Sequence, residues 1–283
     1  MHHRHGRPVV VGVNGTPESD VALHWAVEEA RRRQRPVHIV SAHSLSEPGG
    51  MEMPLTVPAL PPPTREAHDV YERALDYARN RLDSDEVTGE LISGGPIAAL
   101  RQASETAELV VVGTRDRPVR HSVSCAVAAH ASCPVVVARG PQEKSSSTIV
   151  VGLDGSDESE QAAAFAFEEA ELRGAIVEAI HYWTPIGPDA GYREWVRQTG
   201  LDLRRQVTEC VASARAKHPT VAATEQVLEG RPSDELAARS ATAELVVVGS
   251  RGHGRFVGTL LGSVSQDLLS NAHCPVVVVK HQH

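Results

Sequence analysis

The chain has 283 residues, 41% of them hydrophobic, enough for one large or two ordinary domains with sizeable cores. Its formal net charge of −8 and pI near 6.0 argue against a nucleic-acid binder, which would carry a basic face to neutralise phosphates. No run approaches the roughly 18 apolar residues of a membrane span, and Met1 to Pro8 lacks the apolar core of a secretory signal, so a cytoplasmic protein is expected.

Val9 to Val13 is a short continuous apolar run, the mark of a strand covered on both faces. Thr16 as N-cap and Pro17 at the first helical position open a helix that runs to a basic end at Arg33. Val37 to Ala42 reads as a second strand, and Ser44 to Pro63, rich in Pro, Gly and Met, as a long loop. There follow a helix over Arg65–Leu82, a strand over Glu86–Ile92, a helix over Pro96–Glu105, a strand over Leu109–Val112, a helix over Ser122–Ala131 and a strand over Val135–Ala138. The polar stretch Gly140 to Ser147 has no apolar period and reads as a linker. Beyond it the order repeats, with strands over Ile149–Leu153, Ile176–Tyr182, Val221–Leu228, Leu245–Val248 and Val276–Val279, and a long helix over Tyr192–His218. Strands alternating with helices predict a mostly parallel sheet with right-handed crossovers.

The repetition extends to the residues. Val10-Val11-Gly12-Val13-Asn14-Gly15-Thr16 returns as Val150-Val151-Gly152-Leu153-Asp154-Gly155-Ser156, and Ala107 to Gly113 returns as Ala243 to Gly249. Cys133-Pro134-Val135-Val136-Val137 returns as Cys274-Pro275-Val276-Val277-Val278. The chain is therefore a duplication, with expected domains at 8–140 and 148–280, each long enough to be self-sufficient.

In open parallel sheets ligands sit beyond the carboxyl ends of the strands, at the switch point of strand order. Asp154 after its strand, Tyr182 at the end of the next, and the loop from Gly249 to Ser265 after the fourth reach that edge together. Gly249, Gly252 and Gly262 let the backbone approach a ligand and aim N–H groups at phosphate oxygens, though each could also be an ordinary turn or cap glycine. Ser263 and Ser265 at the following helix start suit either a cap or an anion, and Arg251 either a phosphate or water. Asp154 suits ribose hydroxyls or a Mg²⁺ shared with phosphates, and otherwise a solvated turn before Ser156.

Other signatures are absent. There is no G-x-x-x-x-G-K-[ST], no G-x-S-x-G and no H-E-x-x-H, and no general base stands paired with a nucleophile. Cys125, Cys133, Cys210 and Cys274 form no C-x-x-C pair and read as reduced thiols. His2, His3 and His5 read as a tail rather than a metal site. Trp183, Tyr192 and Trp195 lie near the expected mouth and suit a nucleobase border or simple packing.

At these residues the sequence resembles the universal stress protein family in its tandem, ATP-binding form, from Pro8 to Lys280. Gly249, Gly252, Gly262 and Ser263 reproduce the family spacing G-x2-G-x9-G-[ST]. The resemblance implies two tandem Rossmann-like domains of the adenine nucleotide alpha hydrolase-like kind, each a five-stranded parallel sheet with helices on both faces. It implies ATP as ligand, often with Mg²⁺; the residues themselves offer no catalytic constellation. Asp154 takes the acidic position after the first strand and Tyr182 the adenine-side position after the second. Gly152 and Leu153 line the adenine side, and Val248, Gly249, Arg251, Gly252, Gly262, Ser263, Val264 and Ser265 form the phosphate and ribose loop. It also implies pairing through last strands, here Val135–Ala138 and Val276–Val279, as an intramolecular pseudo-dimer, with a homodimer and a regulatory protein partner beyond it.

The first half departs from the pattern. Asn14 replaces Asp154, Asp116 replaces Gly252 and His121 replaces Gly262, with four residues including Pro118 where the second half has nine. A carboxylate at the cradle adds bulk and like charge, so one ATP per chain is expected. The competing readings are a nucleotidyl-transferring relative, for which no substrate motif is found, and a scaffold that binds no nucleotide.

Overall fold

The computed structural model describes residues 6–43, 62–114, 122–140, 147–184, 192–252 and 261–280. Most of the expected loop after Ser44, most of the linker, His2, His3, His5, Asp116, Pro118, His121, the stretch 253–260 and the Tyr192 and Trp195 side chains lie outside the described residues. The described chain divides into two compact units with the boundary between Arg139 and Gly140.

The first unit runs β1 (Val9–Val13), α1 (Pro17–Arg33), β2 (Val37–His43), α2 (Arg65–Arg79), β3 (Val87–Ser93), α3 (Pro96–Ser104), β4 (Leu109–Gly113), α4 (Val123–His130) and β5 (Val135–Ala138). Its strands pair in the order β3-β2-β1-β4-β5, all parallel. The second runs β6 (Thr148–Gly152), α5 (Asp157–Arg173), β7 (Ile176–Trp183), α6 (Tyr192–Lys217), β8 (Ala223–Glu229), α7 (Pro232–Arg239), β9 (Leu245–Gly249), α8 (Ser263–Asn271) and β10 (Val276–Val279). Its order is β8-β7-β6-β9-β10, again all parallel. Registers repeat too: Val9 pairs with Val37 and Leu109, and Ile149 with Val177 and Leu245.

The valine runs form buried strands because both faces are covered; Val9, Val11, Val111, Val136, Val151, Val247 and Val277 have no exposed surface. In the first unit α1 packs against α2 and α3 against α4, and in the second α5 packs against α6 and α7 against α8. Right-handed crossovers leaving a central strand in opposite directions place these pairs on opposite faces. The switch points fall between β1 and β4 and between β6 and β9, where adjacent connections diverge and leave a crevice.

Local chemistry sets the helix ends. Thr16 and Ser156 cap α1 and α5, accepting from Ser19 N and Ser159 N at 3.4 and 3.3 Å. At the far ends Gly174 (φ 64°) closes α5 in the left-handed conformation, but in α1 the same place is held by Gln34 (φ 55°). Each unit carries one buried ion pair on these helices. Glu29, with no exposure, accepts from Arg33 Nε at 2.6 Å, and Glu169, equally buried, from Arg173 Nε at 2.8 Å. Both arginines also approach the residue before the fourth strand, Glu108 at 3.6 Å and Glu244 at 3.4 Å.

Two expected boundaries move by more than one residue. α2 stops at Arg79 rather than Leu82, because Asn80 caps it and the Arg81 and Leu82 amides both turn back to Ala78 O. β8 starts at Ala223 rather than Val221, whose N–H instead closes a turn on His218 O at 3.1 Å.

Candidate functional site

β6 ends at Gly152, where a Cβ would lie 2.8 Å from Leu236 Cδ1, so α7 packs directly on the strand end. The chain then turns through Leu153, Asp154 and Gly155, whose φ of 84° favours glycine. Asp154 Oδ1 accepts three hydrogen bonds, from Ser156 N at 3.1 Å, Ser156 Oγ at 2.6 Å and Ser159 Oγ at 2.5 Å. Ser159 Oγ also accepts from Asp154 N at 2.9 Å. The carboxylate is thus locked by its own turn and the first turn of α5.

The other carboxylate oxygen faces the glycine loop. A Cβ on Gly252 would sit 1.9 Å from Asp154 Oδ2, so only a residue without a side chain passes there. Gly249 is similarly confined, its hypothetical Cβ 2.8 Å from Glu158 Cβ. The loop is pinned at both ends: Ser250 N donates to Val279 O at 2.7 Å, Gly262 N to Ser250 O at 2.8 Å, and Ser265 Oγ to Gly249 O at 2.7 Å. Arg251 stays at the rim, its side chain 60% exposed and 4.0 Å from Glu158.

α8 begins at Ser263 with Gly262 as N-cap and no side-chain cap. Its counterpart α4 is capped by Ser122, whose Oγ accepts from Cys125 N at 3.2 Å. The start of α8 therefore presents first-turn amides and the positive end of the helix dipole, a ready anion site.

These parts enclose a cavity of about 280 Å³ at the switch point. Gly152, Leu153, Asp154, Tyr182, Val248, Gly249, Arg251, Gly252, Gly262, Ser263, Val264 and Ser265, the twelve residues nominated from sequence, all line it. Four more lining residues escaped the sequence reading: Ser159, Ile180, Pro232 and Leu236. Ser159 had a signal, since Asp154, Ser156 and Ser159 repeat the spacing of Asn14, Thr16 and Ser19. Ile180 shares Tyr182's face of β7 by strand alternation. Pro232 and Leu236 come from a crossover helix and had none.

The lining comprises an apolar set, Leu153, Ile180, Tyr182, Pro232, Leu236 and Val248, together with the glycine loop and the α8 start. Tyr182 is 6% exposed and its Oη accepts from Arg239 Nε at 2.6 Å. Trp183 is half-buried and does not line the cavity. Asp154 is the one carboxylate among the described lining residues, and among the described residues no group of three or more His, Cys, Asp or Glu could hold a metal ion. In the first unit the Asn14 turn survives, its Oδ1 accepting from Thr16 N at 3.2 Å and Thr16 Oγ1 at 2.9 Å.

Cys133, Cys210 and Cys274 are buried and Cys125 is half-buried. Burial, helped by the Glu160 and Asp154 carboxylates, pushes the Cys210 thiol up to about 12. Among the described residues no helix is long and apolar enough to cross a membrane.

Comparison with known proteins follows this duplication. The model of the universal stress protein family matches residues 6–139 and again 146–280. The universal stress protein Rv2005c of Mycobacterium tuberculosis is 34% identical, covering 98% of this chain and 97% of its own length. Rv2623 of the same organism is 33% identical, covering 96% of each. A solved universal stress protein from Archaeoglobus fulgidus superposes with a TM-score of 0.69 at 17% identity, over 97% of this chain and 96% of that one, a likeness of fold. The chain belongs to the universal stress protein family, as a tandem of two such domains.

Proposed function

We propose that the second half is a regulatory ATP site and that its occupancy controls the conformation or the partners of the protein. The observation that carries this reading is the single cavity joining an apolar slot, a locked carboxylate, a close-packed glycine loop and a helix start without a side-chain cap. At about 280 Å³ the cavity lies at the lower end of ligand pockets, which suits a nucleoside whose phosphates run out along the loop.

The adenine ring lies against the apolar wall, and the phosphates take the α8 amides and the Ser263 hydroxyl. Asp154 Oδ1 is held by its turn and Oδ2 faces the glycine loop, so a ribose hydroxyl, or Mg²⁺ shared with the phosphates, would meet the carboxylate on that side. The ion supplies charge neutralisation where a carboxylate and a polyphosphate approach one another. ATP in this cavity meets β6, β9, α7 and α8 together, so its occupancy favours the arrangement in which they contact it and changes the surface a partner meets.

Calorimetric titration of the full chain with ATP and Mg²⁺ tests this. Wild type binds; Asp154→Ala and Gly262→Asp lower the affinity at least tenfold, and Asn14→Ala changes it less than twofold. A wild-type chain that takes up no heat at millimolar ATP, or an Asn14→Ala effect equal to that of Asp154→Ala, rules the assignment out.

A further inference from the structure

The cluster around Arg239 touches the cavity wall through Tyr182 and differs between the halves. Tyr182 is the one aromatic ring among the described residues that line the cavity. Its hydroxyl oxygen accepts from Arg239 Nε at 2.6 Å, and the same guanidinium donates through Nη1 to Glu178 Oε2 at 2.8 Å and through Nη2 to Gln226 Oε1 at 3.4 Å. Its carbon lies 5.9 Å from the Tyr182 ring centroid.

A planar guanidinium fork bonded in three directions has one orientation, so it fixes the hydroxyl it donates to. Glu178 and Tyr182 stand four residues apart on β7, hence on the same face, with Gln226 beside them on β8 and Arg239 arriving from the end of α7. The bracket therefore ties three elements to one ring. It also leaves the ring 6% exposed while Arg239 and Glu178 keep about a third and a quarter of their side-chain surface in water.

The first half shows what happens without it. Through the shared register and helix starts, Tyr182 corresponds to Ala42, Arg239 to Ala103, Glu178 to His38 and Gln226 to Glu90. There His38 turns to its strand neighbours, Nε2 at 3.5 Å from Glu90 Oε1 and Nδ1 at 2.9 Å from Thr88 Oγ1. Ring and guanidinium are missing together, in the half whose glycine spacing is also broken.

We infer that Arg239 is a positioning residue for nucleobase recognition: held by Glu178 and Gln226, it pins the Tyr182 ring as a flat wall of the cavity and thereby sets affinity for the base but not for the phosphates. This rests on the nucleotide reading above and adds the element that selects a broad purine face over a smaller pyrimidine.

The test uses the full chain with three probes: ATP, CTP, and inorganic tripolyphosphate read by its displacement of a fluorescent ATP analogue. A ring that must be ordered during binding costs roughly two- to tenfold in affinity. Arg239→Ala and Tyr182→Phe each lower ATP affinity by that factor and narrow the ATP-over-CTP preference. The double variant is no weaker than either single one, because both remove one bond. Tripolyphosphate affinity stays within twofold throughout. The inference is overturned if Arg239→Ala leaves ATP affinity and the ATP/CTP ratio unchanged, or lowers tripolyphosphate affinity as much as ATP affinity, which would mark general loosening of the unit. A wild-type chain that binds neither ATP nor tripolyphosphate refutes the underlying nucleotide reading instead.

Discussion

Gly252 and Gly262 belong to one sequence motif, yet the fold makes opposite demands on them. A methyl group at 252 would meet Asp154 Oδ2 at 1.9 Å, whereas one at 262 would meet nothing nearer than Arg251 Cα at 3.5 Å, an ordinary contact. Gly262 also has φ −68°, open to any residue. In Gly252→Ala the loop and the carboxylate must therefore part by about 1.5 Å. Rotating Asp154 breaks bonds to a charged acceptor at about 1.5–3 kcal/mol each. Shifting the loop is cheaper, at about 0.5–1.5 kcal/mol for each neutral bond such as Ser265 to Gly249 or Gly262 to Ser250. The expected cost is about 1–3 kcal/mol, a fall of roughly 3–10 °C in the melting of the second half. Gly262→Ala should melt within roughly 1 °C of wild type, since it touches no such feature. Both should weaken ATP binding, the first by displacing Asp154 and the second by filling the cavity. Scanning calorimetry with and without ATP reads both effects. Equal melting of the two variants, or a Gly252→Ala protein as stable as wild type, would refute the packing argument.

Four other outcomes follow from the described residues. Gln34→Gly should raise the first half's melting temperature by about 1–3 °C, because a side chain in the left-handed region costs about 1–2 kcal/mol, only partly offset by the added freedom of the unfolded chain. Arg173→Ala should cost about 3–5 kcal/mol by stranding the buried Glu169, whereas Arg31→Ala, from a pair 63% exposed on the arginine side, should cost under about 1 kcal/mol in denaturant titrations. Ellman's reagent at pH 8 should titrate about one thiol, Cys125, in the native protein, and all four after denaturation. Because Cys210 holds its proton up to about pH 12 in the folded chain against about 9 when exposed, its contribution to stability is intact below pH 9 and lost as the pH rises through 12, a loss that Cys210→Ala should remove.

The fold was legible wherever a local rule decides. Valine runs announced buried strands, Thr16 with Pro17 announced a helix start, and the repeated Cys-Pro-Val-Val-Val announced the duplication. Boundaries slipped where local apolar content outlasts the element. Leu82 continues the pattern of α2, but a cap at Asn80 ends the helix first, and Val221 favours a strand although its amide is taken by a turn. In the site, residues close to the glycine motif could be nominated because the motif carries its own geometry. Pro232, Leu236 and Arg239 could not, because α7 reaches the cavity only through a crossover, and pairing across it leaves no trace in spacing. Nor does spacing tell which glycine lacks room: Gly252 and Gly262 look alike until Asp154 is placed beside one of them.

Native mass spectrometry of the full chain, titrated with ATP and Mg²⁺, tests the central claim most directly. One nucleotide per chain is the expected result, abolished by Gly262→Asp and retained by Asn14→Ala. A chain that carries none, or that fills two sites of similar affinity, would contradict it.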